Sequence, residues 1–184
     1  MALLPLFASV LVQCLVQCRD ELVIVQRFDN HWLLARHRGR GALISTASDA
    51  HACRMARRLS EAHGHARLDW VMVLDPVATD AQACWRTLAR WVQSPQLGQP
   101  PLALGQQLFS EGLALELLAD RGQPMLLRIG AQRWRLFPRP QALWAAQHSA
   151  TGVHDASNHR SWLGFQPSPA QRRWLEKSGV QVGY

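Results

Sequence analysis

Histidine pairs are the residues of this chain whose spacing could bind a transition metal. His63 and His65 form an HxH pair at the end of a predicted helix, and His154 and His159 form an HxxxxH pair in a polar stretch. Zinc sites bring three or four ligands together, and a histidine pair without a third ligand is usually solvated. The spacing of the histidines therefore predicts exposed side chains and no metal site.

Two carboxylates that follow a predicted strand could bind a hard cation. Asp75 and Asp80 offer oxygen ligands, but two carboxylates are too few for such a site. Asp80 is also explained as a favourable charge in the first turn of a helix. The sequence contains no GxSxG, P-loop or GxGxxG motif. We therefore predict no metal, no cofactor and no catalytic residue from local motifs.

Arginine supplies nearly all the positive charge of the chain. Lys and Arg together number 20 against 13 Asp and Glu, which gives a formal net charge of +7, and Lys177 is the only lysine. A basic surface of this kind is typical of proteins that bind nucleic acid or anionic lipid, although a solvated basic face and genome base composition are open alternatives. Short clusters of arginines are the candidates for contact with phosphate. They are Arg38, Arg40, Arg54, Arg57, Arg58, Arg172 and Arg173.

The order of predicted elements indicates a mixed α/β domain. A length of 184 residues, with 48% hydrophobic and 18% charged residues, suits one domain with a sizeable core. Two half-sheets with helices outside would satisfy the order of elements. We predict helices over about residues 49–63, from the capping box at 79–82 to Val92, over 141–147 and from the capping box at 168–171 to 179. We predict strands over residues 21–28, 32–36, 42–46, 69–74, 113–118, 124–129, 132–137, 162–165 and 180–182, with loops over 94–105 and 148–161.

The four cysteines form no metal or disulfide pattern. Cys14 and Cys18 lie in an apolar N-terminal run, and Cys53 and Cys84 lie in separate predicted helices. No CxxC pair occurs, so the sequence favours neither a disulfide framework nor a cysteine-rich zinc site. We predict that these cysteines are small buried hydrophobic residues.

Residues 1–19 form an apolar N-terminal segment, separate from a domain over residues 20–184. Residues 2–18 contain no charge, and their length is just short of the roughly 20 residues that a membrane-spanning helix needs. A membrane helix is the favoured interpretation, and a core element of the domain and a signal peptide are the alternatives. If the segment spans, the arginines that follow it predict a cytoplasmic domain by the positive-inside rule.

Several stretches carry an ordered pattern of strand ends and helix starts. Ala42–Ser48 (ALISTAS) stands where a known family has an LIDTG-like loop, and Leu68–Gln82 (LDWVMVLDPVATDAQ) stands where that family has a strand running into a THxDxDH metal loop. Trp134–Arg139 (WRLFPR) falls at a hairpin that ends in an LLTGD-like turn. Trp162–Leu175 (WLGFQPSPAQRRWL) falls at a final strand, loop and helix. Taken in this order, the four stretches resemble the C-terminal metallo-β-lactamase-like domain of ComEC-type DNA-internalisation proteins.

The resemblance implies a truncated metallo-β-lactamase-like β-sandwich flanked by helices, behind one apolar N-terminal helix. The family's metal ligands are missing from this chain. Its metal-loop places hold Asp75, Val77, Thr79 and Asp80, and the aspartate of the later turn is replaced by Arg139. The aspartate of the first loop is replaced by Ser45 or Thr46. Because a hydrolytic site needs several converging ligands, the resemblance implies a pseudo-enzyme.

The function that the resemblance implies is a non-catalytic part of a membrane DNA-uptake system. Its ligand would be DNA, bound through arginine side chains. Its location would be the cytoplasmic membrane, and its partners would be other parts of the uptake channel. The family usually places this domain outside that membrane, so the side remains open. One alternative is an active metal-dependent nuclease or hydrolase that uses His154 and His159. The other is a membrane-anchored protein-interaction module without a role in nucleic-acid binding.

Overall fold

The described residues form two β-sheets and four α-helices. The computed structural model describes residues 20–95, 97, 102–119, 123–148, 159–177 and 181–183. The first sheet contains β1 (Glu21–Arg27), β2 (Asn30–His37), β3 (Arg40–Ser45), β4 (Leu68–Val73) and β5 (Ala89–Gln93). The second contains β6 (Gln107–Ser110), β7 (Leu113–Leu117), β8 (Met125–Ile129), β9 (Gln132–Phe137), β10 (His159–Leu163) and β11 (Gln181–Gly183). The helices are α1 (Ala50–Ala62), α2 (Gln82–Leu88), α3 (Pro140–His148) and α4 (Pro169–Lys177).

Each sheet combines an antiparallel meander with two parallel additions. In the first sheet, β1, β2 and β3 pair antiparallel, and β4 and β5 add in parallel beyond β3. In the second, β6 to β9 pair antiparallel, and β10 and β11 add in parallel beyond β9. A parallel addition needs a long crossover, and α1, α2, α3 and α4 lie in those crossovers. The prediction of a mixed α/β domain is confirmed.

Three apolar clusters hold the layers together. One lies between the first sheet and the helices α1 and α2, and a second lies between the two sheets. The third packs α3 and α4 against β9 and β10 through Phe137, Leu143, Leu163 and Leu175. The layers therefore follow the order helix, sheet, sheet, helix, so the expected half-sheets with helices outside are present.

Strand β2 shows why its sequence is apolar at successive positions. Trp32 and Leu34 pack against the helix layer, and Leu33 and Ala35 pack against the second sheet. Side chains alternate across a strand, so a strand that is covered on both faces is apolar at successive positions along its centre. The indole nitrogen of Trp32 also donates to the carbonyl of Ala52 at 3.2 Å, which fixes α1 on the sheet.

The strands β3, β4, β9 and β10 finish at one end of the molecule, where β1 also turns into β2. β3 and β4 end in register with each other, as do β9 and β10. The ring centroids of His31 in β2 and Trp162 in β10 lie 5.3 Å apart, so the two sheets are in contact there. We call this end the open end, and the opposite end the lower end.

Asp20, the first described residue, is fixed at the lower end. Its carboxylate oxygen Oδ1 lies 2.6 Å from Nδ1 of His37, and its carbonyl accepts a hydrogen bond from Gln132 at 3.1 Å. Gly130 has a φ of 56°, and a Cβ atom there would come within 2.1 Å of the Asp20 carboxylate. The residue that follows the apolar N-terminal segment is thus held between the two sheets.

Two predicted helix starts are confirmed by their caps. The Asp49 carboxylate accepts from the amide of Ala52 at 2.6 Å, as an N-cap residue does. Ser168 and Gln171 form the reciprocal pair of a capping box, with distances of 2.8 and 3.3 Å. The capping box predicted at Thr79 is wrong, because the chain there begins as a 3-10 turn over Thr79–Ala81.

The largest differences from the predicted elements concern β5, β6 and β10. The helix predicted to reach Val92 ends at Leu88, and Ala89–Gln93 forms β5 because it pairs with β4, which overrides its helical spacing. The short strand Gln107–Ser110 was not predicted. It follows a proline-rich loop and consists of only 4 residues. β10 begins at His159, inside the predicted loop.

Cys53 and Cys84 form a disulfide, so the prediction of free buried thiols is wrong for this pair. Their Cα atoms lie 6.3 Å apart, and the bond joins α1 to α2. Sequence spacing missed the pair because 31 residues separate the two cysteines and only the packing of the helices brings them together. Cys14 and Cys18, together with the rest of residues 1–19, lie outside the described residues.

Among the described residues, no helix has both the length and the apolar character that crossing a membrane requires. The predicted N-terminal membrane helix lies outside them.

Reduction of the Cys53–Cys84 disulfide should destabilise the domain. A cross-link of this loop length removes conformational freedom from the unfolded chain, so we expect reduction to lower the free energy of unfolding by about 2–4 kcal/mol. Urea unfolding of the purified chain with and without dithiothreitol measures the difference.

The variant Cys14→Ser/Cys18→Ser is the control, and it should respond to dithiothreitol like the wild type. The variant Cys53→Ala should not respond. A wild-type unfolding midpoint that stays constant on reduction would contradict the disulfide.

Candidate functional site

The seven candidate arginines lie in three separate places. Arg54, Arg57 and Arg58 project from the solvent face of α1, outside the first sheet. Arg172 and Arg173 are exposed on α4, outside the second sheet. Arg38 and Arg40 lie at the β2–β3 turn, at the lower end. The fold therefore does not bring the seven predicted residues together into one surface.

Most of these arginines have no carboxylate partner among the residues that the structure describes. Arg40 is the exception, since its guanidinium lies 3.2 Å from Asp69 and 3.7 Å from Glu111. Arg57 donates to the hydroxyl of Thr87 at 2.7 Å. Within the part of the chain that the structure describes, none of the other candidates forms an ion pair. The candidates without an ion pair to a described residue are Arg38, Arg54, Arg57, Arg58, Arg172 and Arg173.

The four metal-loop positions do not converge. Asp75 forms an ion pair with Arg139 at the open end, across the gap between the end of β4 and the end of β9. Val77 is buried in the cluster under α1 and α2, and Thr79 and Asp80 are exposed in the 3-10 turn. The described residues contain no group of three or more His, Cys, Asp or Glu side chains that could hold a metal.

The HxH pair at the end of α1 contacts an arginine. Nδ1 of His63 lies 3.3 Å from Nη1 of Arg36, a guanidinium that also pairs with Glu21 at 3.0 Å. His65 is buried beneath the end of α1, so the prediction of an exposed side chain is wrong for it. Its desolvation, followed by the positive charge of Arg36, lowers the pKa of its imidazole below 6.5. His154 and the side chain of His159 lie outside the described residues.

A cavity of about 640 Å³ lies at the open end, between the β1–β2 hairpin and the segment that joins β10 to α4. We call it the open-end cavity. It combines apolar, amide, imidazole and guanidinium side chains. The lining includes Ile24, Gln26, His31, Trp162, Phe165 and Arg172.

Of this lining, the arginine Arg172 was predicted from sequence and the other residues were missed. One signal was present in β1, where Leu22, Ile24 and Gln26 share one face. Leu22 and Ile24 pack between the sheets, so a glutamine at the end of that inward row marks a polar opening. The lining residues that β10 contributes could not be recognised in this way, because the residues beside them belong to the other sheet, which is distant in sequence.

The rear of the open-end cavity is formed by a buried histidine in contact with a tryptophan. The ring of His31 is 5% exposed and meets Trp162 edge-on, with 73° between the ring planes. Desolvation lowers the pKa of His31 below 6.5, although the carbonyl and carboxylate of Asp29 oppose the shift. Hydrogen bonds in both directions between His31 and Thr46, at 2.9 and 3.1 Å, hold the backbone in place.

Phe28 stands at the tip of the β1–β2 hairpin beside this cavity. Its side chain is 84% exposed, and its φ of 55° is a conformation that bulky residues rarely adopt. The guanidinium of Arg27 lies 6.0 Å from the centre of its ring. The hairpin therefore presents an aromatic ring and a cation to solvent in a backbone conformation that favours glycine.

No protein-family model matches the chain, and no curated protein matches it.

The two buried histidines should make the domain less stable in mild acid. The folded state lowers the pKa of His31 and His65, so it resists protonation that the unfolded chain accepts. Stability is therefore fully present above the unfolded pKa of about 6.5 and is lost as the pH falls below it. We expect a lower urea midpoint at about pH 5.5 than at about pH 7.5.

The double variant His31→Gln/His65→Gln should show a smaller fall in midpoint between those two pH values. The variant His51→Gln, which changes an exposed residue of α1, is the control and should behave like the wild type. An equal pH dependence in all three proteins would contradict the assignment to His31 and His65.

The Asp75–Arg139 ion pair should contribute little to stability. Its side chains are 44% and 50% exposed, and solvent screens pairs of this kind. We expect Arg139→Met to lower the free energy of unfolding by less than about 1 kcal/mol, as measured by urea unfolding. A loss of several kcal/mol would mean that this arginine holds the two sheets together.

Proposed function

We propose that the chain is a non-catalytic metallo-β-lactamase-like domain of a membrane DNA-uptake system that contacts DNA through arginine. The observation that supports a non-catalytic role is the ion pair between Asp75 and Arg139. Each of these residues stands at a place where the family has a metal ligand. A guanidinium beside that carboxylate repels a divalent cation and occupies Oδ1, one of the two oxygens that such a cation could use.

The unpaired arginines support a role in DNA binding. Arg54, Arg57 and Arg58 lie on one exposed face of α1 and have no carboxylate partner among the described residues. Three cations on one helical face can neutralise phosphates, which releases counterions and drives binding. The net charge of +7 adds long-range attraction to a polyanion.

The disulfide supports a location outside the cytoplasmic membrane. Disulfides persist in oxidising compartments such as the bacterial periplasm and are rare in the cytosol. The Cys53–Cys84 bond therefore favours the side that the family uses over the side that the positive-inside rule predicts. In this proposal residues 1–19 attach the domain to that membrane, close to other parts of an uptake channel.

The two alternatives differ from this proposal in what they require. A metal-dependent nuclease needs at least three converging ligands, so stoichiometric zinc or manganese in the purified protein would favour it. A protein-interaction module needs no affinity for nucleic acid, so the absence of DNA binding at low salt would favour that alternative.

Neutralising the arginines of α1 should reduce the salt dependence of DNA binding. We expect the variant Arg54→Gln/Arg57→Gln/Arg58→Gln to lower the slope of log K against log salt by up to about 2 for a single-stranded oligonucleotide. Fluorescence anisotropy of a labelled oligonucleotide, titrated with the full chain over a salt series, measures the slope.

A matched control removes the same number of charges elsewhere. Arg90, Arg128 and Arg133 lie on strands of the two sheets, and the variant Arg90→Gln/Arg128→Gln/Arg133→Gln should retain most of the wild-type slope. Equal losses in both triple variants would show that net charge alone, and no surface on α1, governs binding.

A further inference from the structure

The open-end cavity has the size and lining of a small-ligand site. Its volume of about 640 Å³ falls within the range of about 300–1,000 Å³ that is usual for such sites. Ile24, Leu163 and Phe165 give it apolar walls, and the His31–Trp162 contact closes its rear. Nδ1 of His31 is buried and makes no hydrogen bond with any described residue, so the rear wall keeps one unused polar atom.

The polar lining selects the kind of ligand. Gln26 and Gln166 each carry an amide, which offers both a donor and an acceptor, and both side chains are exposed to the cavity mouth. Arg172 adds a guanidinium without a carboxylate partner among the described residues. Apolar walls, two amides and one cation suit a planar ring with polar edges that carries an anion.

The charges around the mouth give that ligand an orientation. Asp29 lines the cavity from the hairpin, and Arg172 lines it from α4. A phosphate would therefore lie on the side of Arg172 and away from Asp29, with its attached ring between the apolar walls. A nucleoside monophosphate unit has this combination of planar base and single anionic group.

The exposed aromatic ring at the hairpin tip indicates that the nucleotide belongs to a longer nucleic-acid strand. Phe28 is 84% exposed, follows a cation at position 27 and lies between two residues that line the cavity. An exposed ring of this kind gives a base a surface on which to stack, and a neighbouring arginine strengthens such contacts. Its φ of 55° is strained for phenylalanine, so the backbone conformation at this position does not account for an aromatic residue there.

We propose that the open-end cavity binds one nucleotide of single-stranded nucleic acid and that Phe28 stacks on a neighbouring base. This inference rests on the proposed function. It specifies that the nucleic acid is single-stranded and that it contacts the protein at the open-end cavity. The nucleotide in the cavity places its phosphate by Arg172 and its base edge by Gln26 and Gln166. Duplex DNA has no free base to offer, so it cannot enter.

The test compares two aromatic substitutions in the full chain. Phe28→Gly removes the stacking ring and also relieves the positive φ, so the domain should be at least as stable as the wild type in urea. Its affinity for a labelled oligothymidylate should fall between about fivefold and about a hundredfold. The control Phe109→Ala removes a side chain that is 71% exposed on β6, and it should retain wild-type affinity.

Two further measurements distinguish a nucleic-acid strand from a free nucleotide. They also distinguish failure of this inference from failure of the proposed function. A tenfold or greater preference for oligothymidylate over a duplex of equal length would support the inference. Free thymidine monophosphate that binds as tightly as the oligonucleotide, with no change in Phe28→Gly, would overturn it. Equal binding of duplex and single strand, sensitive only to the α1 arginines, would also overturn it while leaving the proposed function in place. No binding of either nucleic acid at low salt would overturn both.

Discussion

Burial of the first sheet on both faces is the constraint on which the other layers depend. Its central strands β2, β3 and β4 alternate between the helix layer and the second sheet, and nearly every apolar side chain on them is inaccessible to solvent. Such strands cannot exist alone in water, because each exposed face would leave a row of large apolar groups hydrated. The helices α1 and α2 cover one face of these strands, the second sheet covers the other, and the disulfide joins the two helices.

The same packing creates the open end. Parallel strands leave their carboxyl ends at one edge, and the two sheets present these edges side by side. Loops there are free from the packing that fixes the sheet interior, so they can carry polar and charged groups. Asp75, Arg139, Arg172 and the β1–β2 hairpin meet at this end although they are far apart in sequence.

Local sequence signals predicted most of the elements but not how distant segments meet. The alternation in β7 to β9 and the caps at Asp49 and Ser168 depend on neighbours in sequence, and the structure confirms them. The strand β5 was predicted as helix, because its apolar spacing suits both and only pairing with β4 decides. The Cys53–Cys84 bond was missed for the same reason.

The candidate functional residues also include some that the sequence predicts and some that it does not. The arginines of α1 could be predicted as exposed, since they occupy the polar face of an amphipathic helix. The open-end cavity could not, because its walls come from both sheets and only the tertiary fold brings Gln26, His31 and Trp162 together. A single sequence contains the side chains of such a cavity without their relative positions.

The most direct test of the account measures DNA binding and metal content on one preparation of the full chain. Anisotropy of a labelled single-stranded oligonucleotide over a salt series, with mass spectrometry of the same sample, gives both. We expect binding that weakens steeply with salt and a preparation without stoichiometric zinc or manganese. Stoichiometric metal together with cleavage of the oligonucleotide, or no binding at low salt, would contradict it.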